Sequence, residues 1–154
     1  MMSLHDATRA LACHGARATG EGRFDSVGTD TRALAPGQLF VALRGERFDG
    51  HDFVADAAKA GAAAAMVDAA WSAGKADAGL PLLVVDDTRR ALGTLAAAWR
   101  ARFALPLIGV TGSNGKTTVK EMCAAILRVQ ASRDGFGEES VLATRGNLNN
   151  DIGM

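Results

Sequence analysis

Apolar positions along this chain follow two patterns: short continuous runs, and longer stretches where they recur every three to four residues. The runs read as buried strands and the stretches as amphipathic helices. Residues 4–13 predict a short helix with Ser3 as N-cap. Residues 24–44 turn to a strand pattern, and its apolar part, residues 38–43, follows the turn signal Pro36-Gly37. Gly45 and the pair Asp49-Gly50 mark loops. Residues 51–60 read as a helix, with Asp52 near its start and Gly61 at its end. Residues 63–67 and 82–85 predict short buried strands, and residues 68–79 between them are compatible with helix or loop. Asp87 or Thr88 caps a helix to about residue 103, with Leu92, Leu95, Ala96 and Trp99 on its apolar face.

A new unit begins at Leu105-Pro106. Residues 107–110 predict a strand, 111–115 a loop and 116–129 a helix. Residues 132–140 read as loop, 141–144 as a strand and 145–154 as loop. Alternating strands and helices predict an α/β fold. The expected organisation is a small α/β domain over residues 1–104 and the start of a second α/β domain over 105–154. Two strands and one helix cannot cover both faces of a parallel sheet. The second unit is therefore expected to be the front of a longer domain, rather than a segment packed unusually on the first.

Composition narrows the classes. The chain has 154 residues, 48% hydrophobic and 22% charged, as in ordinary globular proteins. Seventeen basic residues balance seventeen acidic ones. That gives no electrostatic footprint for nucleic acid or an anionic membrane. Cys13 and Cys123 are far apart and read as reduced thiols, and His5, His14 and His51 form no zinc-like cluster. No basic segment precedes an apolar run at the N-terminus, and no apolar stretch reaches the ~20 residues of a membrane span. The expectation is a cytoplasmic protein without membrane insertion.

The chemistry centres on Gly112-Ser113-Asn114-Gly115-Lys116-Thr117-Thr118, between an apolar run and a helical stretch. A strand that delivers a glycine-rich turn into a helix points backbone N–H groups at phosphate oxygens, and the helix dipole adds positive potential. Lys116 would reach the outer phosphates, and Thr117 would set its hydroxyl on Mg²⁺. The strict phosphate-loop pattern wants glycine where Val110 stands; Gly109 is one place early, and Gly112 lies inside the loop. The bland alternative is a glycine turn before a helix with a chance lysine.

Thr111-Gly112-Ser113-Asn114-Gly115-Lys116-Thr117-Thr118 resembles the ATP loop of the Mur ligase family, in which the departure at Val110 is normal. Those enzymes add amino acids to the peptide stem of the bacterial cell-wall precursor. Thr29-Asp30-Thr31-Arg32, Pro36-Gly37-Gln38-Leu39-Phe40-Val41-Ala42-Leu43 and Gly45-Glu46-Arg47-Phe48-Asp49-Gly50-His51-Asp52-Phe53 are similar to the N-terminal domain of members acting late in the stem. Gly146-Asn147-Leu148-Asn149-Asn150-Asp151-Ile152-Gly153 is similar to a loop of the central domain. The resemblance spans nearly all of this chain but only the first part of such an enzyme.

It implies ATP and Mg²⁺ as cofactors and ligation of D-alanyl-D-alanine to UDP-N-acetylmuramoyl-tripeptide, by a protein monomeric at full length. It further implies that Thr111 through Thr118 hold ATP, with Lys116 catalytic and Thr117 on the metal. Thr29, Thr31, Arg32, Glu46, Arg47 and Phe48 would contact the uracil nucleotide, and Asn147, Asn149 and Asn150 would face the phosphates.

Each site residue has a structural alternative. Thr29 and Thr31 suit a capped strand end, Arg32 could pair with Asp30, and Phe48 could be core. The asparagines suit a plain turn. His51 reads as a helix-start residue, and Trp71 and Trp99 as packing residues. Competing functions are the related ligase that adds the third stem residue and a non-enzymatic nucleotide-binding module. A coding sequence continuing past Met154 would favour a ligase. Folate polyglutamate ligases share the ATP loop but lack this N-terminal domain.

Overall fold

The computed structural model describes residues 1–73 and 78–144. The chain divides into two units, Met1–Phe103 and Ala104–Met154.

The first unit begins with β1 (Met2–Ser3) and α1 (Leu4–Ala10). Ser3 caps α1, its side chain accepting from the Asp6 backbone N–H at 3.1 Å. β2 (Arg17–Ala18), β3 (Arg23–Phe24), β4 (Ser26–Gly28) and β5 (Gln38–Val41) follow. A 3-10 turn over Gly50–Phe53 leads into α2 (Val54–Lys59). Then come β6 (Ala64–Asp68), α3 (Ala69–Ser72), β7 (Leu82–Val85) and α4 (Thr88–Arg100). The main sheet has the order β2-β7-β6-β5-β4, and β1 pairs with β3 separately. β4 to β7 are mutually parallel, while β2 runs antiparallel on β7.

Side chains alternate across the sheet. Leu39, Val41, Ala64, Met66, Leu83 and Val85 face Leu4, Ala7 and Leu11 of the α1 segment and Ala91 and Leu95 of α4. Phe40, Ala42, Ala65, Val67, Leu82 and Val84 face Val54 and Ala57 of α2. A parallel sheet needs both faces covered, and these two clusters cover them. This is the expected α/β class, with a parallel sheet.

Several elements differ from expectation. The strand pattern of residues 24–44 resolves into three short strands with a break between β4 and β5. Residues 51–60 split into a 3-10 turn and α2, because the Asp49 side chain accepts from the His51 N–H at 3.0 Å and tightens the turn. In residues 68–79, a four-residue helix follows β6 directly. α4 stops at Arg100, and its buried stripe is Thr88, Ala91 and Leu95, with Ala96 exposed.

The second unit holds α5 (Lys116–Arg133) and a 3-10 turn at Glu138–Ser140. The helix runs four residues past its expected end at 129. The strands expected at 107–110 and 141–144 are absent. An apolar run becomes a strand only when another backbone completes its ladder, and among the described residues no strand of this unit pairs with either run. Leu107 is 77% exposed and Leu142 98%. The α5 side chains Met122, Ile126 and Val129 are likewise exposed. Among the described residues, no helix is long and apolar enough to cross a membrane.

Candidate functional site

β4 to β7 run in the same direction, so their carboxyl ends share one edge of the sheet. In parallel α/β sheets, ligands collect at that edge. Thr29, Asp30, Thr31 and Arg32 follow β4. The cap of the 3-10 turn at Thr31–Ala33 is Asp30 rather than a threonine, and its carboxylate accepts from the Arg32 backbone N–H at 3.0 Å. Arg32 also grips that carboxylate through Nε (2.9 Å) and Nη2 (2.6 Å). This hydrogen bonding holds the Asp30 carboxyl down to about 2 and pushes Arg32 up. Thr29 is exposed and Thr31 half-buried.

After β5 the chain forms a short hairpin. Arg44 bridges Asp49 in antiparallel fashion, and the Gly45 N–H donates to the Phe48 carbonyl at 2.9 Å. Glu46, Arg47 and Phe48 lie exposed at its tip. Phe48 is 60% exposed and is not a core residue. Its ring lies over Gly45, where an added Cβ would meet Phe48 Cε1 at 2.5 Å.

A polar cluster that sequence reading did not anticipate lies under the hairpin. His51 is buried, with Nδ1 2.5 Å from Asp49 Oδ1, and its Nε2 accepts from the Asp68 backbone N–H at 3.0 Å. Arg44 Nε lies 3.2 Å from Asp49 Oδ2 and 3.3 Å from Asp68 Oδ2. Burial acts to raise the Asp49 carboxyl, but the hydrogen bonds from His51 and the Arg44 charge outweigh it, and the net shift is downward. Asp68 Oδ1 accepts from the Thr88 N–H at 2.9 Å, and Thr88 Oγ1 donates to the Ala42 carbonyl at 2.7 Å. One signal was available: Asp68 ends an otherwise apolar buried strand, where a carboxylate must find partners.

The second unit presents the phosphate-type loop. Thr111, Gly112, Ser113, Asn114 and Gly115 are exposed and lead into α5, whose first turn carries Lys116, Thr117 and Thr118. Gly115 is the N-cap, with φ +76°, and no side chain caps the helix. Nothing lies within 4 Å of a Cβ built there, so backbone conformation alone calls for glycine. The first N–H groups of α5 have no intrahelical acceptor, the arrangement on which anion sites at helix starts are built. Lys116 Nζ donates to the Gly112 carbonyl at 2.7 Å. Among the described residues, no three His, Cys, Asp or Glu side chains converge to hold a metal. Asn147, Asn149 and Asn150 lie outside the described residues.

Residues 23–100 match the Mur ligase family, catalytic domain, and residues 110–154 match the Mur ligase middle domain. The chain belongs to the Mur ligase family. It is 54% identical over 130 residues to the UDP-N-acetylmuramoyl-tripeptide–D-alanyl-D-alanine ligase of Escherichia coli (strain K12), covering 84% of this chain and 26% of that one. It is 43% identical over 120 residues to a UDP-N-acetylmuramoyl-L-alanyl-D-glutamate–2,6-diaminopimelate ligase of Streptomyces coelicolor, covering 77% of this chain and 24% of that one. A crystal structure of MurF from Acinetobacter baumannii superposes with a TM-score of 0.74 at 38% identity, covering 99% of this chain and 31% of that one. The chain thus spans about a quarter of the length of the E. coli relative.

Proposed function

We propose that this chain carries the uridine-nucleotide segment and the first ATP segment of the ligase that joins D-alanyl-D-alanine to UDP-N-acetylmuramoyl-tripeptide in peptidoglycan precursor synthesis. The observation that carries this reading is the identity to the E. coli ligase, which runs through most of the chain. In this reading residues 1–104 hold the UDP end of the substrate, and residues 105–154 open the ATP-binding domain. The working compartment is the cytoplasm, and the complete protein acts as a monomer.

The backbone N–H groups from Gly112 to Thr118 cradle the phosphates, as expected of an uncapped helix start. Lys116 turns from the Gly112 carbonyl to the outer phosphates and neutralises charge as it develops. Thr117 offers one hydroxyl to Mg²⁺. Mg²⁺ is commonly held by one or two carboxylates with phosphate oxygens and water completing the shell, and the Thr117 hydroxyl would be one further oxygen of that shell. When bound, ATP would supply the activation: its γ-phosphoryl group would pass to the substrate carboxylate with ADP leaving, and the incoming amine would then displace phosphate and lose a proton to form the amide. Thr29, Thr31 and Arg32 meet the nucleotide from one side, and Glu46, Arg47 and Phe48 from the hairpin. Asn147, Asn149 and Asn150, outside the described residues, would contact the phosphates in this reading.

The diaminopimelate ligase is the second reading, favoured by the S. coelicolor relative. Calorimetric titration separates the readings. The chain is expected to bind UDP-N-acetylmuramoyl-tripeptide weakly, more tightly than the corresponding dipeptide, and to bind Mg-ATP separately. Tighter binding of the dipeptide would favour the second reading. No heat with any uridine nucleotide, on folded protein, would remove both.

A further inference from the structure

The His51 cluster has no part in the reading above, yet it lies directly beneath the hairpin of residues 44–49. His51 Nε2 accepts from the Asp68 backbone N–H. A ring nitrogen that accepts carries no proton, so the hydrogen of the neutral imidazole sits on Nδ1. Nδ1 faces Asp49 Oδ1 at 2.5 Å and donates to it. The ring therefore reads a strand end on one side and the base of the hairpin on the other. Arg44, at the hairpin's opposite leg, is held between the Asp49 and Asp68 carboxylates. Asp68 is in turn fixed by the first N–H of α4, at Thr88.

The hairpin's backbone closes at its base, where the Gly50 N–H donates to the Leu43 carbonyl at 2.8 Å, and again near its tip. Residues 44–48 are all exposed, and the hairpin closes on itself through Gly45 and Phe48. Its pose over the sheet edge depends on Asp49 and Arg44, the two residues the cluster clamps. A residue that only filled space at position 51 needed no polar ring there. A buried polar ring with both nitrogens engaged specifies one geometry, and leaving its partners unsatisfied is expensive.

We propose that His51 is a positioning residue, whose Nδ1-protonated ring links Asp68 to Asp49 and sets the 44–49 hairpin in the pose that receives the uridine nucleotide. The inference rests on the reading of Glu46, Arg47 and Phe48 as nucleotide contacts. It concerns affinity rather than chemistry, since His51 is buried and touches no substrate.

The test uses the 154-residue chain with His51→Leu, which keeps apolar bulk and removes both bonds, and His51→Gln, which retains a donor and an acceptor. UDP-N-acetylmuramoyl-tripeptide is titrated by calorimetry, and amide hydrogen exchange is followed. His51→Leu should weaken binding about 10-fold or more, the usual effect of leaving buried partners unsatisfied. It should speed exchange at the Gly45 and Asp68 amides while leaving Leu83 and Val84 protected. His51→Gln should recover much of both. Nitrogen-15 spectra of the wild-type ring should show the proton on Nδ1. A folded His51→Leu chain with wild-type affinity and wild-type exchange at Gly45 and Asp68 would overturn the proposal, as would a proton found on Nε2. If the leucine variant does not fold, the ring spectrum and the glutamine variant decide. If the wild-type chain binds no uridine ligand, the nucleotide reading fails, and exchange still reports whether the ring holds the hairpin.

Discussion

Lys116 Nζ donates a 2.7 Å hydrogen bond to the carbonyl oxygen of Gly112, so the lysine of the glycine-rich loop is turned back on its own turn. A phosphate that displaces this carbonyl exchanges a neutral acceptor for an anionic one, which adds attraction between opposite charges to the hydrogen bond. Lys116→Ala should weaken Mg-ATP binding by about 10- to 100-fold, on the scale of losing one hydrogen bond to a charged group. A fluorescent ATP analogue titrated against both chains gives the comparison. Equal affinities would leave Lys116 a loop staple with no part in nucleotide binding.

The Asp30–Arg32 pair predicts a pH signature. Arg32's hydrogen bonds hold the Asp30 carboxyl at about 2, against an ordinary 3.8. A depressed carboxylate adds its stabilising contribution above the ordinary value, and that contribution is lost as pH falls from about 4 through about 2. Carbon-13 titration of Asp30 should give a midpoint near the lower figure. Arg32→Ala should move it back toward 3.8. A wild-type midpoint already at the ordinary value would mean that the pair does not persist in solution.

Gly50 and Gly93 predict opposite outcomes for the same substitution. A Cβ at Gly50 would lie 2.7 Å from both the backbone N and O of Leu43, and backbone cannot rotate away. Gly50→Ala should destabilise the first unit by about 1–3 kcal/mol, the usual range for overpacking. Gly93 lies exposed within α4 with nothing near its Cβ direction. Gly93→Ala should stabilise by about 0.5–1 kcal/mol through helix propensity and a less free unfolded chain. Urea unfolding followed by Trp71 and Trp99 fluorescence reads both. A neutral Gly50→Ala would mean that the hairpin base yields more than its contacts imply.

The parts of the fold that could be read beforehand are those with a local code. The continuous apolar runs of β5, β6 and β7 and the caps at Ser3 and Asp87 each lie within a few residues of what they specify. The loop from Thr111 to Gly115 was legible because its glycine sits where the helix begins with a left-handed residue. The runs at 107–110 and 141–144 misled for the converse reason, since apolar composition signals burial and burial needs a neighbour. The His51 cluster was hidden because it joins Arg44, Asp49, Asp68 and Thr88 across three strand ends. No sequence period encodes such a meeting. His51 next to Asp49-Gly50 looked like ordinary turn chemistry, and that was half right, because Asp49 does cap the turn.

Phe48 and Gly45 make the last prediction. The Phe48 ring is 60% exposed and rests against Gly45, where any Cβ would push it away. An exposed ring held in one place by a glycine has the form of a stacking platform, and such a ring contributes little to folding. Phe48→Ala should therefore change urea stability by less than about 0.5 kcal/mol, as surface substitutions do. It should weaken binding of a uridine nucleotide by about 10-fold, since stacking a base on an aromatic ring is worth ~1–3 kcal/mol. Gly45→Ala should reproduce the binding loss with the ring still present, because the added methyl group displaces it. Phe48→Tyr should bind as wild type, the ring face being preserved. The two variants together discriminate placement from mere presence. If Phe48→Ala binds normally, the ring is an ordinary exposed side chain. If Phe48→Ala loses binding and Gly45→Ala does not, the ring acts without needing the seat that Gly45 gives it.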